Sequence, residues 1–214
     1  MKKEYSEHPA SMSEFNMEMY GFSWIDFVTA IPSPLLVATN YKANGKPNAC
    51  LQSWACFNGK HAILSSVNTN GHLYQAIRET GVTVLNFPSA DIYDKCSATI
   101  SNNDYNYDEI TQSGLTAEPA ALVNAPRIKE CFMNLECRLL WEKPIVEGDN
   151  HVLMCFEIVN VAVEEENLDE NGKGRYGESG FIFNLHHPIN PEAFTGKAHD
   201  YIAVVQKHID TGEY

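Results

Sequence analysis

The sequence predicts a mainly β protein: an antiparallel barrel with a few flanking helices. Short apolar or alternating runs recur along the chain between turn residues, and only a few stretches have helical spacing. Asn44-Gly45 and Asn58-Gly59 carry the strongest hairpin signal, so the strands around them are expected to be antiparallel. A barrel suits such strands because closure leaves no exposed edge.

Size and charge restrict the class of protein. A chain of 214 residues can bury a sizeable core, and 44% hydrophobic content favours a folded protein. The net charge of −13 leaves no basic surface for nucleic acid or for an anionic membrane. Met1-Lys2-Lys3 is not followed by the apolar run of a secretory signal, and no segment approaches the ~20 apolar residues of a membrane span.

The six cysteines show no C-x-x-C spacing. Cys131, Cys137 and Cys155 lie in apolar strand patterns, where cysteine acts as a small hydrophobic residue. We therefore expect a reduced, cytoplasmic protein without structural zinc.

Three parts are expected along the chain: an N-terminal arm (1–30), a barrel domain (31–190) and a C-terminal tail (191–214). The arm is mixed polar and aromatic, and we expect it to be irregular or briefly helical, packing on its own barrel or across a subunit boundary. An exposed arm is the alternative. Ile31-Pro32-Ser33-Pro34 ends any helix there, because a proline biases its predecessor towards extended geometry.

The first predicted hairpin joins a strand over Leu35–Tyr41 to a strand over Asn48–Phe57. A period of two gives the second strand one polar face that ends in tryptophan. The members of this face are Asn48, Cys50, Gln52 and Trp54. A flat heterocycle with hydrogen-bonding edges would suit this face, and a solvent-facing strand with one exposed tryptophan explains the pattern equally well.

The rest of the barrel is predicted from further runs of the same kind. The predicted strands are His61–Val67, Val82–Phe87, Ile128–Trp141, His151–Val163 and Phe181–Leu185, and the predicted helices are Gly71–Glu79, Ser89–Thr99 and Asp108–Gly114. The C-terminal segment from Tyr201 is compatible with either a helix or a strand.

The turn before the first of these helices is a candidate phosphate site. Its strand ends in small polar residues, and the free N–H groups and dipole of a helix start favour an anion. The predicted phosphate-binding residues are Ser65, Ser66, Asn68, Thr69, Asn70 and Gly71. The alternative is that Thr69 or Asn70 only caps the helix.

Other chemistries find little support. His186 and His187 are adjacent, so on a strand their side chains point to opposite faces and cannot bind one ion without a bend. The later residues His199, Asp200 and His208 form no known metal-binding motif with them. No G-x-S-x-G or P-loop sequence occurs. We expect no metal site and no nucleophilic site.

Five short pieces of the sequence, taken in order and spacing, resemble a known family. They are Ile31-Pro32-Ser33-Pro34-Leu35-Leu36-Val37-Ala38-Thr39, Asn48-Ala49-Cys50-Leu51-Gln52-Ser53-Trp54, Ser66-Val67-Asn68-Thr69, Val84-Leu85-Asn86-Phe87-Pro88 and Asn134-Leu135-Glu136-Cys137-Arg138. This arrangement resembles the flavin reductase-like, FMN-binding split-barrel family in its flavoredoxin-type branch. The likeness covers roughly 31–164.

The resemblance implies a six-stranded antiparallel split barrel, mainly β with flanking α, that forms a homodimer with FMN near the subunit interface. The flavin carries the redox step and the protein positions it. The implied function is an FMN-binding oxidoreductase that passes electrons from NAD(P)H or a redox protein to flavin. A flavin- or small-ligand-binding module, or an electron carrier without its own NAD(P)H turnover, is the alternative.

The resemblance also implies site residues, and none of them is catalytic. The residues expected along the ring and ribityl chain are Asn48, Ala49, Cys50, Leu51, Gln52, Ser53 and Trp54. Those expected near the phosphate are Ser66, Val67, Asn68, Thr69 and His72, with Asn86 ending a neighbouring strand. Family members often place a cation in the phosphate turn, which here has none, so Lys42, Lys46, Arg78 or a partner-chain cation would have to approach. Neutral donors alone, or weak FMN binding, are the alternatives.

Overall fold

A computed structural model describes residues 1–7, 24–101, 104–172, 180–185 and 202–205. Within these ranges the protein is mainly β and its paired strands are all antiparallel, as predicted. The histidines considered as metal ligands, His186, His187, His199 and His208, lie outside the described residues. The boundaries proposed at 30/31 and 190/191 stay predictions.

The elements follow in chain order. The helices are α1 (Trp24–Thr29), α2 (His72–Thr80), α3 (Tyr93–Ala98) and α4 (Glu109–Gln112), with 3-10 helices at Ala90–Ile92 and Glu165–Asn167. The strands are β1 (Ser33–Pro34), β2 (Leu36–Tyr41), β3 (Pro47–Gln52), β4 (Ala55–Asn58), β5 (His61–Asn68), β6 (Val82–Phe87), β7 (Ala117–Pro119), β8 (Pro126–Ile128), β9 (Met133–Pro144), β10 (His151–Val163), β11 (Ile182–Asn184) and β12 (Ile202–Val204).

The main sheet has seven strands in the order β3-β2-β6-β9-β10-β5-β4. Its two edge strands are consecutive in the chain, since only Ser53 and Trp54 separate β3 from β4. The sheet must therefore curl until its edges meet at these two residues. The hydrogen-bond pairing divides the main sheet into seven strands. The predicted number of six is reached if β3 and β4 are counted as one bent strand. The ladder is not a closed ring, because β3 pairs with β2 and β4 with β5.

The corner between β3 and β4 corrects one prediction. The unbroken strand over Asn48–Phe57 is wrong, because Trp54 has φ +55 and turns the chain. Its carbonyl oxygen accepts hydrogen bonds from the N–H of Ser65, at 2.9 Å, and from the Ser65 hydroxyl. Ser65 and Ser66 together oppose one residue of β10, so a β-bulge lies beside the corner.

Helix α2 covers the side of the sheet beside β2, β3 and β5. It buries Leu73 and Ile77 in the main core and ends at Gly81, whose φ of +70 suits glycine. Its N-cap is Gly71, which has no side chain to cap the helix. The alternative that Thr69 or Asn70 caps α2 is therefore wrong.

Three further differences come from tertiary pairing. The strand predicted over Ile128–Trp141 is divided, with Ile128 in β8 and a new strand beginning at Met133. β7, which no sequence pattern indicated, pairs with β8 in a small two-stranded sheet. In the tail, Ile202–Val204 adopts the strand alternative and pairs with β11.

Candidate functional site

The polar face predicted on β3 lies inside the protein for most of its length. Asn48 is 1% exposed and Cys50 packs against the main core, so the solvent-facing alternative is wrong. The outer edge of β3 is also occupied: the Ala49 N–H donates to Glu109 Oε2 at 2.9 Å and the Leu51 N–H to Thr99 Oγ1 at 3.0 Å. β3 therefore becomes accessible to a ligand mainly at its end.

The end of β3 and the β4 corner supply the partly exposed residues. Gln52 and Trp54 are both partly exposed, and Ser66 is partly exposed at the bulge. Gln52 Nε2 donates to Cys50 Sγ at 3.0 Å. Burial raises the pKa of the Cys50 thiol to about 11, so this thiol stays neutral near pH 7 and is not a nucleophile.

The turn before α2 satisfies most of its own N–H groups. The Thr69 N–H donates to the Asn150 carbonyl at 2.8 Å. The Asn70 N–H donates to Asn68 Oδ1 at 2.8 Å, and the Gly71 N–H donates to the Asn68 carbonyl oxygen at 3.0 Å. Donors still available to an anion include the Thr69 hydroxyl and the first N–H groups of α2, which have no acceptor within a helix.

Two of the three cations considered for the phosphate already have carboxylate partners. Lys42 is buried, with Nζ 3.1 Å from Glu109 Oε1 and 2.7 Å from the Tyr107 carbonyl oxygen. Arg78 lies 3.2 Å from Glu142 Oε1. Lys46 is exposed in the β2–β3 hairpin. Within the described residues, a phosphate at the turn would therefore depend on neutral donors and on Lys46 as the cation of these three that is not engaged.

His72 lies where α2, β3 and α4 meet. Its Nδ1 is 3.7 Å from Glu109 Oε1, and its ring packs edge-on against Tyr105 with centroids 5.5 Å apart. A cavity of about 50 Å³ beside it is lined by Lys42, Ala43, His72, Gln75, Ala76, Glu79 and Tyr105. Sequence reasoning missed Glu109 because its partners are more than 35 residues away and no local pattern marks it.

Two predicted site residues lie in the core. Val67 is 2% exposed. The Asn86 amide donates to the Val37 carbonyl at 2.8 Å, and its Oδ1 accepts from the Ile128 N–H and from Asn134, each at 2.9 Å. This network fully engages the Asn86 amide, so its observed contacts are structural.

Six partly or fully exposed residues lie along the chain segments from the sheet corner to the start of α2, and we call this set the corner–helix strip. Its members are Gln52, Trp54, Ser66, Asn68, Thr69 and His72. A tryptophan lies at one end and a helix start at the other, with hydroxyl and amide side chains between them. Of the residues predicted for the site, Asn48, Ala49, Ser53, Val67 and Asn86 are buried.

Comparison with known proteins assigns the chain to a family. The family model for the flavin reductase like domain matches residues 28–180. The chain belongs to the flavin reductase-like family. A curated relative from Aquifex aeolicus, an uncharacterized protein, is 33% identical over 104 residues, which are 49% of this chain and 52% of that protein. The chain spans about half the length of the curated relatives it matches.

Similar solved structures agree on the fold. Flavoredoxin of Desulfovibrio vulgaris (Miyazaki F) has a TM-score of 0.71 at 21% identity, covering 84% of this chain and 90% of that one. The FMN-binding protein from Thermus thermophilus has a TM-score of 0.66 at 13% identity, covering 98% and 99%. These structures support the split-barrel-type fold. Among the described residues, no helix is long and apolar enough to cross a membrane.

Proposed function

We propose that this protein is an FMN-binding oxidoreductase of the flavin reductase or flavoredoxin type, which passes electrons from NAD(P)H or a redox protein to flavin. Family membership supports the reaction class. The names of two solved structures, a flavoredoxin and an FMN-binding protein, favour FMN as the flavin.

The corner–helix strip is the observation that carries the proposal. FMN has a flat ring, a polyol chain and a phosphate, and the strip offers groups suited to each. Trp54 and Gln52 would border the ring, and Ser66 lies between them and the turn. The Thr69 hydroxyl and the first N–H groups of α2 would hold the phosphate, since a helix start favours negative charge.

When bound, FMN supplies the redox chemistry, and the residues of this chain bind and orient it. Two hydrogen bonds from Ser65 fix the backbone of Trp54 at the corner. Cys50 stays protonated beside Gln52, because burial raises its pKa to about 11. The strand therefore brings no competing thiolate to the site.

A homodimer in a reducing cytoplasm is part of the proposal. Leu140 and Val161 are 50% and 53% exposed on β9 and β10, and such apolar side chains suit a subunit contact. The six cysteines are all free, which is compatible with a reducing compartment. Light scattering should give twice the 24.0 kDa mass of the chain. A 24.0 kDa particle at every workable concentration would contradict the dimer.

The experiment that tests the function has two steps. The visible spectrum of the purified protein, followed by an FMN titration, shows whether flavin binds. NADH and NADPH oxidation is then measured with and without FMN. Turnover of either nucleotide supports the reductase; binding without turnover supports the electron-carrier or ligand-binding alternative. Absence of flavin binding at micromolar concentration rejects both.

A further inference from the structure

Three buried polar atoms on β2, on β3 and at the start of α2 have no hydrogen-bond partner among the described protein atoms. They are Asn40 Oδ1, Asn48 Nδ2 and His72 Nδ1. Asn40 and Asn48 are directly opposite each other on β2 and β3, and both are at most 1% exposed. Asn40 Nδ2 donates to the carbonyl oxygen of Leu73 at 3.3 Å, which brings the pair against the residue that follows His72.

The chemistry of these atoms selects the kind of group that could satisfy them. Asn40 Oδ1 only accepts hydrogen bonds and Asn48 Nδ2 only donates, while a neutral imidazole nitrogen does one or the other. An anion would face Asn40 Oδ1 and the Glu109 carboxylate, which lies 3.7 Å from His72 Nδ1. A cation would face the Asn48 amide donor. A neutral hydroxyl both donates and accepts, so it fits all three atoms.

We propose that Asn40, Asn48 and His72 form a buried subsite for a single hydroxyl group. Two sources share this chemistry: a water molecule, and a hydroxyl of a flavin's ribityl chain. The second source rests on the proposed function. In either case the subsite does not bind phosphate, which leaves the exposed side of α2 and Thr69 for that group.

Folding stability of the flavin-free protein tests the subsite without reference to activity. An amide that truly lacks a partner is destabilising, so Asn48→Leu, a change of similar shape, should then raise stability. In the flavin-free protein a water molecule supplies the hydroxyl whichever source applies, so the same change should instead lower the folding equilibrium constant by about fivefold. Asn86→Leu is the matched control, because its buried amide is fully bonded by protein atoms and must lose stability.

Ligand binding separates the two sources. Affinities for riboflavin and for lumiflavin, which has the ring without the polyol chain, are compared in wild type and Asn48→Leu. If wild type binds riboflavin more tightly than lumiflavin and Asn48→Leu abolishes this difference, the hydroxyl belongs to the ribityl chain. If the difference is unchanged and the variant has lost folding stability, the hydroxyl belongs to water. Failure of every flavin to bind rejects the proposed function, and the stability comparison still tests the subsite.

A crystal structure of the wild-type protein gives the direct observation, including the case in which Asn48→Leu fails to fold. The proposal predicts one oxygen atom within hydrogen-bonding distance of all three side chains. Asn48 Nδ2 bonded directly to Asn40 Oδ1, or a gain in stability in Asn48→Leu, would overturn it.

Discussion

The carbonyl oxygen of Trp54 accepts two hydrogen bonds from Ser65, one from its backbone N–H at 2.9 Å and one from its hydroxyl. These bonds tie the corner of β3 and β4 to β5, where the two edges of the main sheet meet. Trp54 has φ +55 there, a conformation that costs about 1–3 kcal/mol for a bulky residue. The two hydrogen bonds offset that cost and fix the position of the backbone that carries the indole side chain.

Trp54→Asn should weaken FMN binding about tenfold, or about 1.4 kcal/mol. Asparagine tolerates a positive φ, so the corner keeps its backbone while the aromatic surface is lost. Fluorescence titration with FMN measures the change. Trp141→Asn is the matched control, because Trp141 lies on β9, which pairs with neither β3 nor β4. Equal losses in the two variants would contradict a ring site at the corner.

Thr69→Ala should weaken FMN about tenfold and leave riboflavin unchanged, because a hydrogen bond to a charged group contributes ~1.5–3 kcal/mol. Calorimetric titration with both flavins measures the difference. Since Gly71 is the N-cap of α2, the change should alter folding stability by less than about 0.5 kcal/mol. Asn70→Ala serves as the control at an exposed neighbour. Equal affinity for FMN and riboflavin in the unmutated protein would remove the phosphate from this turn.

Lys42→Met should lower the free energy of unfolding by about 3–5 kcal/mol, because it leaves the buried Glu109 carboxylate without its cation. Urea unfolding measures the loss. The double variant Lys42→Met/Glu109→Gln should recover part of it. Arg78→Met is the control: its pair with Glu142 is 54% exposed on the arginine side and should contribute ~0–1 kcal/mol. Similar losses for Lys42 and Arg78 would contradict this distinction.

Glu136 predicts an acid-sensitive contribution to stability. Burial acts to raise its pKa, but hydrogen bonds from the Ala121 N–H, Arg127, Asn160 and the Leu122 N–H outweigh burial and lower the pKa to about 2. The folded-state pKa lies below the unfolded value near 4.5, so the contribution is complete above that value. The ionised Glu136 carboxylate contributes about 3 kcal/mol to the free energy of unfolding. This contribution is lost as the pH falls from 4.5 towards 2.

Glu136→Gln tests this contribution by urea unfolding across that pH range. The variant should be less stable than wild type by about 2–3 kcal/mol near pH 7, and the gap should narrow as the pH falls below 4.5. Glu157→Gln, at an exposed position on β10, is the control. A gap that stays constant with pH would contradict the lowered pKa.

Local turn chemistry explains which parts of the fold could be predicted from the sequence. Asn44-Gly45 and Asn58-Gly59 form the expected hairpins, because Gly45 and Gly59 adopt the positive φ that such turns require. The break at Trp54 could not be predicted, since tryptophan rarely adopts a positive φ and the bonds that hold it come from Ser65 on another strand.

Parts of the site depend on contacts that sequence spacing does not reveal. Glu109 reaches Lys42 and the Ala49 N–H from 67 and 60 residues away, and thereby occupies the outer edge of β3, the strand whose residues are predicted to border the flavin. The start of α2 was predicted within one residue, but its N-cap is Gly71, because Asn68 uses its own oxygens to bond the turn.

Flavin titration followed by nicotinamide oxidation is the measurement that tests the central claim most directly. The purified protein should bind FMN more tightly than riboflavin, Trp54→Asn and Thr69→Ala should weaken FMN binding, and NADH or NADPH should be oxidised only when FMN is present. No FMN binding at micromolar concentration, or FMN binding that neither variant changes, would contradict it.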